Sequence, residues 1–174
     1  MTNLYDLCKY IRKLMIKSGD SFFYKGTRYV IGAILSINGR YYIASAAHIF
    51  HETGNIVHVN GTEGIVKRFL DDFDVALIEL NSGCMAQITE LGSASVMEDA
   101  RLSNEKSNIP CRVIQGGTSL LSLLFRCFDM PQPGDSGSPI VQKGKVIGLL
   151  SSVALGNCTG TAVSSEVLRN LSFY

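Results

Sequence analysis

Residues 133–139 read Pro133-Gly134-Asp135-Ser136-Gly137-Ser138-Pro139, and an apolar pair, Ile140-Val141, follows at once. Two glycines flank a serine on a tight turn. That arrangement lets a hydroxyl project while its own backbone N–H faces a reacting carbonyl. A Gly-rich surface turn is the plain reading of a bare G-x-S-G. The longer G-D-S-G-S-P string, with a strand directly behind it, is far more specific and marks Ser136 as a candidate nucleophile.

A serine hydroxyl reacts poorly without a base beside it, so a histidine must come from elsewhere in the chain. There are three, His48, His51 and His58, and all precede Ser136. That order excludes an α/β-hydrolase elbow, which needs G-x-S-x-G and a histidine after the serine. Here the fifth position is Ser138. His48 closes the string Ala44-Ser45-Ala46-Ala47-His48, whose small residues allow tight packing behind an imidazole that faces a cleft. His51 and His58 read as surface side chains. A zinc site at His48-x-x-His51 lacks the H-E-x-x-H pattern, and no metal is expected.

The third member is a carboxylate that orients the imidazole from a buried position. Asp71 and Asp72 sit in a turn, where solvated aspartates are ordinary. Asp74 instead opens Asp74-Val75-Ala76-Leu77-Ile78-Glu79-Leu80, an almost wholly apolar run. A carboxylate there is costly unless something pairs with it. His48 is the natural partner.

Around these residues the pattern is β-rich. Strands are expected at 29–37, 41–45, 55–59, 64–69 and 74–80, then at 111–115, 120–128, 139–142, 145–152 and 161–163. Asn38-Gly39 and Lys143-Gly144 serve as hairpin turns. Many short strands at even spacing suggest barrels or sandwiches. Residues 83–108 carry charges and few β-formers, and read as a link between two halves. Residues 2–17 form an amphipathic helix capped by Thr2, with Leu4, Leu7, Ile11, Leu14 and Met15 on one stripe and Lys9, Arg12, Lys13 and Lys17 on another face. The stripe is expected to pack on the body of the protein. Ser164 or Ser165 caps a closing helix.

Composition sets the outer limits. The chain has 174 residues, 46% of them hydrophobic, which suffices for a proper core and argues against disorder. Sixteen basic residues against fifteen acidic ones give no reason to expect nucleic acid as a partner. Arg12, Lys13 and Lys17 interrupt the apolar stretch that could serve as a leader, and no run approaches membrane-spanning length. A soluble, cytoplasmic protein without a membrane partner is expected. The five cysteines show no C-x-x-C pair, so a zinc or thioredoxin-like role finds no support. They read as free thiols in a reducing compartment, with a Cys111–Cys127 bridge left open.

Taken together, His48 in S-A-A-H, Asp74 in D-V-A-L-I-E-L and Ser136 in G-D-S-G-S-P resemble the chymotrypsin-like serine proteases, in that family's order. The resemblance extends over about residues 20–172. It implies an all-β fold of two antiparallel six-stranded barrels, over about 20–85 and 109–174, with a linker at 86–108. The N-terminal helix occupies 1–19. The implied function is endopeptidase cleavage through an acyl-enzyme, with no cofactor. Ser136 is the nucleophile, His48 the base and Asp74 its orienter, and Gly134 and Ser136 supply the oxyanion-hole N–H groups. The chain is short for a secreted digestive member, and Ile49 stands where a cysteine usually follows the histidine. It is closer to compact bacterial intracellular members or viral polyprotein-processing ones.

By the same resemblance Met130 floors the primary specificity pocket, and Ser151-Ser152-Val153 runs beside the substrate. Neither offers a charge, so a small or medium apolar P1 residue is expected in a protein or polyprotein substrate. Secreted relatives switch on when a new N-terminus pairs with the aspartate before the nucleophile, here Asp135. The nearest matching string, Arg28-Tyr29-Val30-Ile31-Gly32, lies inside an expected strand. Asp135 therefore needs another partner: a Lys, an Arg or a cluster of backbone N–H groups. A chain competent as made is expected, with an activating protein partner as the alternative. The other functional class is a catalytically silent module that binds through the protease fold.

Overall fold

Buried and exposed side chains alternate along Ile56–Val59, Asp99–Ser103 and Leu120–Phe125, where one face of a sheet meets a core. The computed structural model describes residues 3–70 and 72–171. A first sheet contains β1 (Ser21–Tyr24), β2 (Thr27–Val30), β3 (Ala33–Ile37), β4 (Arg40–Ser45), β5 (Ile56–Val59), β6 (Thr62–Phe69) and β7 (Ala76–Leu80). A second contains β8 (Asp99–Ser103), β9 (Asn108–Gln115), β10 (Leu120–Phe125), β11 (Pro139–Gln142), β12 (Lys145–Ala154) and β13 (Thr159–Ser164). Helices α1 (Leu4–Leu14) and α2 (Ser165–Leu171) stand at the two ends.

The second sheet is a closed barrel in the order β10-β13-β12-β11-β8-β9. The first has seven strands in the order β2-β1-β5-β6-β7-β4-β3, so its two edges are consecutive in sequence. The run 29–37, expected as one strand, bends at Ile31-Gly32. Ile31 N donates to Asp20 O on one side of the bend, and Gly32 N donates to Ala44 O on the other. The sheet thereby rolls up through its own chain. Counted as one bent strand, β2 and β3 make this the expected six-stranded barrel. Two strands were not expected, β1 and β8. The second of these lies inside the stretch read as a linker.

Each barrel has its own core. Phe22, Ile34, Ile43, Val57 and Ile78 fill the first, and Leu102, Val113, Leu123, Phe125 and Ile140 the second. A third cluster lies between them, with Ala33, Leu35, Ala44 and Leu77 from the first half against Leu149, Val163 and Leu168 from the second. At this seam backbone meets backbone. A Cβ placed on Gly32 would lie 2.5 Å from Gly137 O and 2.8 Å from Ala44 O, so no side chain fits there.

Helix α1 departs from expectation. Asn3 caps it, its Oδ1 accepting from Tyr5 N at 3.2 Å, and Thr2 lies outside the described residues. The first two turns of its apolar stripe do not pack on the body: Leu4 is 76% exposed and Leu7 45%, with Tyr5 and Tyr10 exposed beside them. The amphipathic period is real, yet the barrels' cores are complete without it. No helix among the described residues is long and apolar enough to cross a membrane.

The cysteines also depart from expectation. Cys127 and Cys158 form a disulfide, with Cα atoms 5.2 Å apart. It ties the segment after β10 to the turn between β12 and β13. Cys111 is not its partner, because it sits on β9 facing the barrel interior. Burial pushes the Cys111 thiol up to about 12 and raises Cys84 less far, whereas Cys8 is exposed. Since the thiolate is the reactive form, iodoacetamide at pH 8 is expected to modify Cys8 first and Cys84 slowly. Cys111 should react only on unfolding. Peptide mapping by mass spectrometry checks the order, and rapid labelling of Cys111 in the folded chain would contradict it.

Candidate active site

Strand β4 ends at Ser45, and the chain turns through a single 3-10 turn, Ala47–Ile49, that carries His48. Ala44, Ser45 and Ala46 are all buried, and Ser45 Oγ donates to Val30 O at 2.8 Å. Their small size lets the turn sit close to the barrel while the His48 ring stays half-exposed. Asp74 lies two residues before β7 rather than within it. Its Oδ1 accepts from His48 N at 2.9 Å, and its Oδ2 lies 2.6 Å from His48 Nδ1. Ser151 Oγ also donates to Oδ2, at 2.8 Å.

Burial alone would raise the Asp74 carboxyl. The hydrogen bonds from Ser151 and His48 outweigh it and hold the group below its usual 3.8. An ionised carboxylate only accepts, so Nδ1 carries the proton and Nε2 is left as the free acceptor. A carboxyl depressed in the folded state adds stability above its unfolded value and loses it as pH falls through the folded one. Ser151→Ala removes one donor and is expected to lower stability at neutral pH. The gap should close as pH drops below the ordinary carboxyl value. Urea melts of both proteins at several pH values read this directly, and a gap independent of pH would contradict the linkage.

The serine turn follows from its residue types. Asp135 N donates to Gln132 O at 3.0 Å, with Pro133 second and Gly134 third in the turn at φ +98°. Those are the marks of a type II turn, which requires a positive φ at its third residue. Asp135 N, Gly137 N and Ser138 N are all bonded, to Gln132 O, Leu150 O and Asp135 O. The N–H groups of Gly134 and Ser136 donate to no described residue. Gly137 brings the turn against the first barrel, since a Cβ there would lie 2.9 Å from Ala46 N and collide with Ser45 Oγ. Ser136 is thus set beside the segment leading to His48. Its hydroxyl makes no hydrogen bond with a described residue. Catalytic hydrogen bonds commonly tighten only once substrate is bound.

Asp135 is 5% exposed, and no Lys or Arg among the described residues pairs with it. Asn104 Nδ2 donates to its Oδ1 at 3.0 Å and Ser107 Oγ donates to the same oxygen at 3.1 Å. Gln132 N donates to Oδ2 at 2.8 Å. A backbone N–H was among the expected partners; the amide and hydroxyl side chains were not. Asn104 and Ser107 lie in the stretch read as a linker, and nothing in their local sequence marks them. Ser151 was read as lining the substrate strand. Its contact with Asp74 adds a role that spacing does not reveal.

The remaining candidates fall as follows. His51 and His58 are exposed, His58 lying 3.9 Å from Glu63. Asp72 is exposed, and Asp71 lies outside the described residues. Met130 is buried in the second barrel's core cluster. Ser152 and Val153 are exposed on β12. Beyond Leu149 that strand has left β11 and pairs with β13 alone, so its other edge carries no strand. Among the described residues no group of His, Cys, Asp and Glu gathers as a metal site.

No family model and no curated protein matches the sequence. Solved structures do match in fold. A Nocardiopsis protease superposes with a TM-score of 0.72 at 16% identity, covering 91% of this chain and 96% of the other. A chymotrypsin from Cellulomonas bogoriensis gives 0.65 at 19% identity, covering 91% and 95%. The serine protease of a human pathogenic astrovirus gives 0.56 at 20%, covering 83% and 86%. The fold of this chain is chymotrypsin-like.

Proposed function

We propose that the chain is a serine endopeptidase in which Ser136 attacks the peptide carbonyl and His48 takes its proton. Asp74 holds the imidazole with its proton on Nδ1, and the Gly134 and Ser136 N–H groups receive the oxyanion. His48 then delivers the proton to the leaving amine, and water releases the acyl-enzyme by the reverse steps. The observation that carries this reading is a pair of N–H groups, Gly134 on the type II turn and Ser136 just past it, that donate to no described residue. Two donors left open beside a serine are what a developing oxyanion needs.

Recognition follows from the unpaired edge at 151–154, where an extended substrate can add as a strand. Met130 supplies an apolar floor and Val153 an apolar wall, which favours small or medium apolar P1 residues in a protein or polyprotein substrate. We place this work in the cytoplasm. Blocking thiols at the moment of lysis and finding Cys127 and Cys158 alkylated supports that setting, whereas an intact bridge counts against it.

A fluorophosphonate probe tests the chemistry. The wild-type chain should label at one site, Ser136, with EDTA present or absent, and Ser136→Ala should not label. A wild-type chain that stays unlabelled and cleaves no member of a peptide library would return the silent binding module.

A further inference from the structure

We propose that Asn104, assisted by Ser107, positions the oxyanion turn by clamping Asp135, so that the chain is competent without a new N-terminus. This rests on the endopeptidase reading above and adds what holds its site in shape.

Asp135 lies between the two residues whose N–H groups donate to no described residue, so its side chain fixes the peptide planes on either side. Its carboxyl is buried, and a buried carboxylate is stable only where donors converge on it. Three do: Asn104 Nδ2, Ser107 Oγ and Gln132 N. The same Asn104 amide reaches Ser138 Oγ at 2.9 Å, so one side chain grips the motif on both sides of Ser136.

The clamp is itself held in place. Asn104 Oδ1 accepts from Lys106 N at 2.9 Å and from Ser107 N at 2.8 Å, and Asn104 N donates to Ser107 O at 2.8 Å. These bonds fold residues 104–107 into a tight turn between β8 and β9 and fix the rotamer of the amide. Gly19 and the first residue of β1 brace that turn from outside: Glu105 N donates to Gly19 O at 3.1 Å, and Ser21 Oγ donates to Glu105 at 2.7 Å. Cutting at Arg28 would therefore detach the brace rather than create an activating end. Arg28 also lies in β2, paired with β1, and Ile31, three residues further on, is fully buried.

The test uses the full chain and the fluorophosphonate probe. Asn104→Ala removes the amide. Asn104→Asp keeps the acceptor for the 106 and 107 N–H groups but sets a second carboxylate against Asp135. The labelling rate and kcat should fall by about 30-fold in the first variant and about 100-fold in the second. KM for a peptide substrate should stay within about twofold. Ser107→Ala should lose only a few-fold. Given time, each variant should still label to the wild-type stoichiometry, because every folded molecule retains Ser136 and His48. A residue that merely stabilised the fold would give the opposite result, a smaller labelled fraction reacting at the wild-type rate. That outcome, or unchanged rates in both Asn104 variants, overturns the proposal and leaves the endopeptidase reading standing. Mass spectrometry of the labelled wild-type chain should find it uncut at Arg28, and labelling confined to cut chains overturns the claim of competence. A wild-type chain that never labels removes the reading and the proposal together.

Discussion

Ser136→Ala and His48→Ala are each expected to lower kcat by about 10⁶-fold, and the double variant by no more than either alone. In the proposed mechanism the two groups act as a unit. Without the imidazole the hydroxyl keeps its proton, and without the hydroxyl the imidazole has nothing to activate. A residue of catalysis should survive from the oxyanion N–H pair and substrate binding. Steady-state cleavage of a peptide library substrate measures the loss, and circular dichroism shows whether each variant is folded. His51→Ala, His58→Ala and Asp72→Asn should keep near-normal turnover, since all three side chains are exposed. The same is expected of Asp71→Asn. Wild-type turnover in Ser136→Ala or His48→Ala would end the assignment.

Asp74→Asn should leave the fold intact and still cost about 10⁴-fold in kcat. The cause lies in the three donors that meet this carboxylate. His48 N points at Oδ1, while His48 Nδ1 and Ser151 Oγ both point at Oδ2. An asparagine has one acceptor oxygen to offer. With that oxygen on the backbone N–H, its NH₂ faces Nδ1, and two donors cannot face each other. The imidazole moves its proton to Nε2, the atom that must accept from Ser136. Ser151 Oγ rotates to accept, so folding is spared. Nitrogen NMR of His48 should show the tautomer change, and unaltered turnover in this variant would remove Asp74 from its role.

What could be read from the sequence, and what could not, divides along physical lines. The serine turn was legible because its chemistry is local: Pro133 fixes φ at the second position, Gly134 alone takes the positive φ at the third without cost, and the turn needs both. His48 stood out by elimination among three histidines and by its small neighbours. Contacts closed by distant residues were silent. Asn104 meets Asp135 across 31 positions, and Ser151 meets Asp74 across 77. Strand β8 was missed because only Ala100 and Leu102 point inward, with charged side chains between and before them. The stripe on α1 was legible as a pattern, but a pattern says which face is apolar and not what that face meets. The same limit applied to the bend in 29–37, where an unbroken apolar run hides the point at which the chain changes partners.

The seam between the barrels also sets a timetable. His48 and Asp74 belong to a half whose strands are all synthesised once Leu80 is made. The half bearing Ser136 cannot close until β13 arrives to pair with both β10 and β12, and that strand ends at Ser164. Eighty-four residues separate these two events, since 164 less 80 is 84. At about 5–20 residues per second, synthesis spans that gap in roughly 4–17 s. In the proposed mechanism, a growing polypeptide holds the base without a seated nucleophile throughout that interval. Whatever has already left the ribosome upstream is exempt from cutting in cis until the last strand is delivered.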